Sequence, residues 1–116
     1  MKKAGLSLLQ APGNDLVAAN ALAISGAQLI LFTTGRGTPF GCPVPTVKIS
    51  SNSALAQKKN AWIDFNAGVL LENMQMEETA EALLNYVLNL ASGKLQAKAE
   101  MLDKHELAIF KDGVTL

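Results

Sequence analysis

Leu29-Ile30-Leu31-Phe32 runs directly into Thr33-Thr34-Gly35-Arg36-Gly37-Thr38-Pro39-Phe40-Gly41-Cys42-Pro43. An unbroken apolar run predicts a strand covered on both faces, the pattern of a central parallel strand. The stretch from Thr33 to Pro43 cannot continue as regular structure, because its prolines lack an N–H and fix φ while its glycines favour turns. A buried strand that opens at once into hydroxyls, glycines and one arginine predicts a binding loop.

The elements around that loop alternate. Gly5 to Leu9 predicts a short buried strand, broken by the turn chemistry of Pro12-Gly13-Asn14-Asp15. Asn14 or Asp15 can cap the next helix by accepting from a free backbone N–H. Leu16 to Ser25 is alanine-rich and apolar almost all round, which predicts a helix buried on a sheet, with Gly26 ending it. Ala27 to Thr33 is the second strand, so the first thirty or so residues read as a right-handed βαβ unit. Pro45 to Ser50 predicts a third strand, with Thr46, Lys48 and Ser50 on one face and Val47 and Ile49 on the other. Ser51-Asn52-Ser53 caps a short helix ending near Lys59. Trp62 to Phe65 predicts a fourth strand, ending in the polar turn Asn66-Ala67-Gly68.

Met76 to Ser92 carries the clearest helical period, with apolar Ala80, Leu83, Leu84, Val87, Leu88 and Ala91. Glu77, Glu78 and Glu81 sit near its start, where the helix dipole favours negative charge, and Gly93 stops it. Lys94 to Lys104 reads as a polar connection with some helix, Glu106 to Phe110 as a last strand and Asp112-Gly113 as a turn. This alternation predicts one domain, residues 1–116, of the α/β class: a three-layer, Rossmann-like sandwich with a mainly parallel sheet.

Composition narrows the partners. The 116 residues carry zero formal net charge with scattered basic residues, so there is no electrostatic case for nucleic acid or an anionic membrane. No apolar run approaches the roughly 18 residues of a membrane span. A single cysteine excludes an internal disulfide and fits a reducing, cytoplasmic compartment. Met1-Lys2-Lys3 followed by apolar residues is like the opening of a signal peptide. The run stops at Gln10 without a small-residue cleavage site, so it is read as the first strand.

In parallel α/β sheets ligands bind beyond the carboxyl ends of the strands. That edge should gather Pro12 to Asp15, Thr33 to Cys42 and Ser50 to Ser53, with Asn66 from the fourth strand. Arg36 is the candidate for an anionic group, since its planar fork fits a carboxylate. Thr33, Thr34 and Thr38 can hold hydroxyls, which both donate and accept. Gly35 and Gly37 let backbone N–H groups come close. Gly35-Arg36-Gly37 is neither a Walker loop nor the dinucleotide pattern. Asp15, Asp64 and Cys42 are metal-ligand types, but their spacing defines no site. The simpler readings are a helix cap for Asp15, a turn for Asp64 and, the favoured one for Cys42, a small buried thiol. His105 reads as exposed. Lys48 reads either as a base or anion contact at the ligand edge or as an ordinary exposed strand lysine. Met74, Met76 and Met101 read as core fillers and Trp62 as a packing anchor.

Three stretches together carry a resemblance: Phe32-Thr33-Thr34-Gly35-Arg36-Gly37-Thr38-Pro39-Phe40-Gly41, Pro45-Thr46-Val47-Lys48-Ile49-Ser50-Ser51-Asn52, and Asp64-Phe65-Asn66-Ala67-Gly68. In this order they resemble the C-terminal region of the altronate/galactarate dehydratase family. Pro12-Gly13-Asn14-Asp15, Ala91-Ser92-Gly93-Lys94 and Glu106-Leu107-Ala108-Ile109-Phe110 also resemble that family's segments. The resemblance implies a hydro-lyase that removes water from a sugar acid to give a 2-keto-3-deoxy acid, with a divalent metal such as iron(II). A base takes the proton beside the carboxylate while an acid or metal assists loss of the β-hydroxyl. Family members are several times longer. The implied partners are therefore the sugar acid and an N-terminal portion, in the same enzyme or as a separate subunit, and that portion is where the catalytic base and the metal ligands are expected. A homo-oligomer is compatible with this. The expected contribution of this domain is substrate contact through Thr33, Thr34, Gly35, Arg36, Gly37, Asn52 and Asn66. The competing class is a stand-alone, non-catalytic carboxylate-binding or assembly domain.

Overall fold

The structure, a computed structural model, describes residues 4–111. Its elements follow the order α1 (Asp15–Ile24), β1 (Ile30–Thr34), β2 (Thr46–Ser50), α2 (Ser53–Lys58), β3 (Phe65–Asn66), a 3-10 helix (Ala67–Glu72), α3 (Met76–Ala91) and α4 (Lys98–Met101). The three strands form one parallel sheet in the order β1-β2-β3. Ile30 pairs with Thr46 and Thr34 with Ser50, and Ser50 in turn lies opposite Asn66. The register therefore brings the carboxyl ends of all three strands level.

β2 is the middle strand and all five of its residues are buried. Two apolar clusters lie on the two faces of the sheet, one of them without a residue of β2. Ile30 and Phe32 of β1 pack with Ala19, Phe40 and Cys42, and Leu16 and Ala23 of α1 close over them. On the other face, Val47 and Ile49 pack with Leu90 and Ala97, flanked by Phe65, Leu83 and Tyr86. Helices thus lie on both faces, α1 on one and α3 on the other. The sheet between them is small and open, short of the Rossmann-like three-layer sandwich expected from the sequence.

Local chemistry explains the helix ends. Asn14 caps α1 by accepting from the Val17 N–H at 3.5 Å, and Asn52 caps α2 by accepting from the Leu55 N–H at 2.8 Å. Gly93 stops α3 with φ +75°, a conformation that strains a side chain. The helix from 76 is present, but its inner stripe is Thr79, Leu83, Tyr86 and Leu90. Leu84 and Leu88, both counted in the apolar period, are exposed.

Four expectations need correction. Gly5 to Leu9 is not a strand: Leu6 and Leu8 stand almost wholly in solvent, and the segment donates to no partner strand among the described residues. A short apolar segment gains nothing as a strand without a ladder and a covered face, so the βαβ unit lacks its first strand. The second strand starts at Ile30 rather than Ala27, because the Ala27 N–H still bonds back to Leu22 O at 3.0 Å. The fourth strand is only Phe65–Asn66. Before it, the Trp62 and Ile63 N–H groups both go to Lys59 O, extending the exit from α2. Glu106 to Phe110 joins no sheet. Its backbone instead follows the loop and α1, with the Glu106 N–H on Gly41 O at 3.1 Å and Asn20 Nδ2 donating to Glu106 O at 3.3 Å.

Two side-chain readings change as well. Met74, Met76 and Met101 are exposed rather than core fillers. Lys48 is not an exposed strand lysine, being 1% accessible. Cys42 is a buried free thiol and His105 is exposed, both as read from the sequence. Asp112-Gly113 lies outside the described residues.

Candidate functional site

The carboxyl edge of the sheet gathers most of the predicted residues and ties them to one another. Thr34 Oγ1 accepts from the Gly37 N–H at 2.9 Å, closing the turn Thr34-Gly35-Arg36-Gly37, where Gly37 takes φ +79°. Asn52 Nδ2 donates to Gly35 O at 3.2 Å while its Oδ1 caps α2. Asn66 Oδ1 accepts from Ser50 Oγ at 3.2 Å and from the Gly68 N–H at 2.9 Å, and its Nδ2 donates to Ser53 Oγ at 2.8 Å. Thr34, Asn52 and Asn66 therefore spend their polar atoms on building the edge. Thr33 and Arg36 are exposed, and Arg36 makes no ion pair among the described residues. Lys59, not singled out in the sequence, clamps the same turn by donating to Arg36 O at 2.9 Å and Gly37 O at 3.2 Å.

Beyond that turn the loop enters an open cavity of about 630 Å³, lined by Gly13, Asn14, Asp15, Leu16, Thr38, Pro39, Phe40, Lys104 and Glu106. The Gly13 to Asp15 turn and the second half of the Thr33 to Pro43 loop meet here, whereas Ser50 to Ser53 and Asn66, expected at the same edge, do not line the cavity. Thr38 Oγ1 reaches Asp15 Oδ2 at 3.4 Å. Glu106 Oε2 accepts from the Gly41 N–H at 2.8 Å, and Lys104 Nζ stands 3.8 Å from its other oxygen. The Gly41 N–H, with some help from Lys104, holds the Glu106 carboxyl below the usual range, so it stays ionised. None of Thr33, Thr34, Gly35, Arg36, Gly37, Asn52 and Asn66 lines this cavity.

Lys104 and Glu106 were missed as site residues. No sequence pattern marked them, since apolar alternation here would turn Leu107 and Ile109 inward and the two charged residues outward. Lys104, Glu106 and Ala108 are half-buried, whereas His105, Leu107 and Ile109 are exposed. Gly41 is required for this junction, since a Cβ there would collide with Lys104 O.

Lys48 supports the cavity wall from behind. Its Nζ donates to Thr38 O at 2.6 Å and to Phe40 O, and lies 3.8 Å from the centroid of the Phe40 ring. Burial pulls its pKa down from 10.5 to about 8, against the opposing pull of the Asp64, Glu106 and Asp15 carboxylates. Its backbone is fixed by Asp64, whose Oδ2 accepts from the Lys48 N–H at 2.7 Å.

The donors do not fit an iron site. Among the described residues no three of His, Cys, Asp and Glu come together in a set that could hold a metal ion. Asp64 already accepts from Lys48, Tyr86 and Lys98, and Cys42 lies buried beside Thr46 Oγ1 at 3.3 Å.

Comparison with known proteins adds the family. The profile described as D-galactarate/Altronate dehydratase, C-terminal, matches residues 1–115. The chain is 55% identical over 117 aligned residues to an altronate dehydratase of Bacillus subtilis (strain 168), covering all of this chain and 23% of that protein. It is 53% identical to an altronate dehydratase of Escherichia coli (strain K12), again over all of this chain and 23% of the relative. A galactarate dehydratase (L-threo-forming) of the same Escherichia coli strain is 34% identical over 93% of this chain and 21% of its own length. The chain thus spans less than a quarter of the relatives it matches. The ordered motifs, the level strand ends and the match over nearly every residue lead to one conclusion: this chain belongs to the D-galactarate/altronate dehydratase family and corresponds to its C-terminal region.

Proposed function

We propose that this domain is the C-terminal part of a sugar-acid dehydratase, a hydro-lyase of the altronate or galactarate type, and that it supplies one wall of the substrate site. The observation that carries the reading is the meeting of the Asn14-Asp15 turn with Thr38 and Lys104 around a single open cavity. A polyhydroxy carboxylate needs a cation for its carboxylate and a row of acceptors and donors for its hydroxyls. Lys104 supplies the cation, with Arg36 as a second one on the same loop as Thr38. Asp15, Glu106, Asn14 and Thr38 supply groups for the hydroxyls.

The chemistry of the reaction needs more than this. Removing water across the bond beside a carboxylate requires a base at the α-proton and assistance to the departing β-hydroxyl. Lys48 does not serve as that base in this arrangement, because its amine is buried and already donates to two carbonyls. The base, and the iron(II) expected from the resemblance, belong in this reading to the remainder of the enzyme.

The test joins this chain to the preceding portion of an altronate dehydratase and measures keto-acid formation from altronate and from galactarate with iron(II). Turnover is expected for the joined enzyme and not for the 116 residues alone. Equal turnover by the isolated chain would overturn the division of labour. Absence of turnover by the joined enzyme on either acid, with the fold intact, would overturn the dehydratase reading.

A further inference from the structure

We infer that the groove formed by Leu8, Leu9, Leu22, Ser25 and Ala27 is the seat on which the preceding portion of the dehydratase docks. The inference rests on the dehydratase reading above. The groove is a concave space of about 340 Å³ bounded by those side chains and Ser7, and it lies apart from the polar cavity. Leu8 is 93% exposed and Leu22, on the outer side of α1, is 41% exposed. Leucines that line a concavity and stay in water mark a surface made to be covered.

Other leucines are also exposed, on α3 and along the segment after Lys104, but two points favour this groove. The matched region is C-terminal in the family, and the chain spans 23% of the altronate dehydratases it resembles. In those relatives the rest of the polypeptide is roughly three times this length and, on the dehydratase reading, joins at the amino-terminal side, where Leu8 and Leu9 themselves form one wall of the groove. A partner tethered a few residues away is present at high effective concentration, so even a modest apolar seat is occupied. The occupant is accordingly an apolar surface of that preceding portion. No charged side chain lines the groove, which suits an apolar partner and not a charged one.

The experiment uses the full-length Escherichia coli altronate dehydratase with its matching C-terminal region replaced by this chain, and a specific protease site inserted just before residue 1. After cleavage, the two pieces are expected to co-elute in gel filtration. Leu22→Glu and, separately, Ser25→Arg should each weaken that association by roughly tenfold or more, a difference readily resolved in a dilution series. Leu88→Glu, an exposed leucine on α3, should leave it unchanged. Hydrogen exchange at Leu8, Leu9 and Leu22 should be slower in the joined enzyme than in the isolated chain. Separation of the unmodified pieces on cleavage would overturn the inference, as would release by Leu88→Glu with retention of both groove variants. Circular dichroism of each isolated variant domain identifies any that has unfolded, in which case the exchange comparison decides. Keto-acid formation is measured before cleavage as the separate check. A chimera that holds together without turnover sinks the dehydratase reading alone, and an active chimera whose groove exchanges as fast as in the free chain sinks the docking inference alone.

Discussion

Lys48 and Asp64 hold each other's backbones. The Lys48 N–H donates to Asp64 Oδ2 at 2.7 Å, and the Asp64 N–H donates to Lys48 O at 2.9 Å. Asp64 Oδ1 accepts in addition from Tyr86 Oη at 3.2 Å and the Lys98 N–H at 2.8 Å. One carboxylate therefore joins β2 to the starts of β3 and α4 and to the side of α3. Asp64→Ala strands several donors at once, and the expected loss is about 2–4 kcal/mol, given that hydrogen bonds to a charged group are worth roughly 1.5–3 kcal/mol each. Urea unfolding of the two proteins checks this. A loss within experimental error of zero would mean that water replaces the carboxylate freely.

The Lys48 amine makes stability depend on pH in an unusual direction. Its pKa falls from 10.5 to about 8 on folding, so between those values the unfolded chain binds a proton that the folded one has released. Stability from this group is then lost as pH falls toward 8 and recovered as pH rises toward 10.5. Comparing wild type with Lys48→Met isolates the effect. The difference in unfolding free energy should move by about 1.5 kcal/mol in favour of wild type between pH 8 and pH 9.5, at roughly 1.4 kcal/mol per pKa unit. A flat difference would show that the amine is not desolvated.

Tyr86 acts in the opposite sense at higher pH. Burial, with the Asp64 carboxylate adding to it, raises its pKa from 10 to about 12. Its contribution is full below 10 and is lost as pH climbs through 12, so Tyr86→Phe should lose less stability than wild type across that window. Absorbance titration of the phenol, followed with circular dichroism, reports both events together. Ionisation of Tyr86 near 10 in the folded protein would contradict the arrangement.

Backbone crowding yields a separate prediction at Gly68. A Cβ there would collide with Ser53 N and with the Asn52 backbone, where no flexible side chain can yield. The start of the 3-10 helix and the start of α2 are pressed together at this point. Gly68→Ala should cost about 1–3 kcal/mol, the usual range for overpacking, and should disturb the Asn66 hydrogen bonds to Ser50 and Ser53. Thermal unfolding gives the first quantity, and amide chemical shifts at Ser53 and Gly68 the second.

Periodicity made the interior elements legible. β2 was found because Val47 and Ile49 alternate with polar residues, α3 because its apolar stripe is long, and the α2 start because Asn52 has cap chemistry. Short apolar stretches misled at Gly5 to Leu9 and at Glu106 to Phe110, since a strand needs a neighbour to pair with, and pairing is a tertiary event. For the same reason the fate of Lys48 was hidden. The face it shares with Thr46 and Ser50 was readable but not that this face is covered, and the carbonyls of Thr38 and Phe40 that receive its amine come from a loop whose path no local pattern specifies. The strand-edge rule correctly brought Thr34, Gly35, Asn52 and Asn66 together. It did not reveal that their polar groups serve one another, nor that Lys104 and Glu106 return from the end of the chain to meet Asp15.

That return sets up the sharpest test of the cavity. Lys104, Glu106, Asp15 and Thr38 surround it, whereas Arg36 lies two residues outside its lining. If the sugar acid sits in the cavity, Lys104→Met in the joined enzyme should raise KM for altronate by about tenfold or more, since a charge-assisted hydrogen bond to a carboxylate is worth upward of 1.5 kcal/mol. Arg36→Ala should raise it less, and Thr38→Val should act through KM rather than through folding, because the Thr38 hydroxyl reaches only Asp15, at 3.4 Å. Steady-state kinetics on the three variants, with urea unfolding as the control for stability, ranks the two cations. A large effect at Arg36 beside an unchanged KM at Lys104 would move the carboxylate out of the cavity and onto the Thr34 to Gly37 turn.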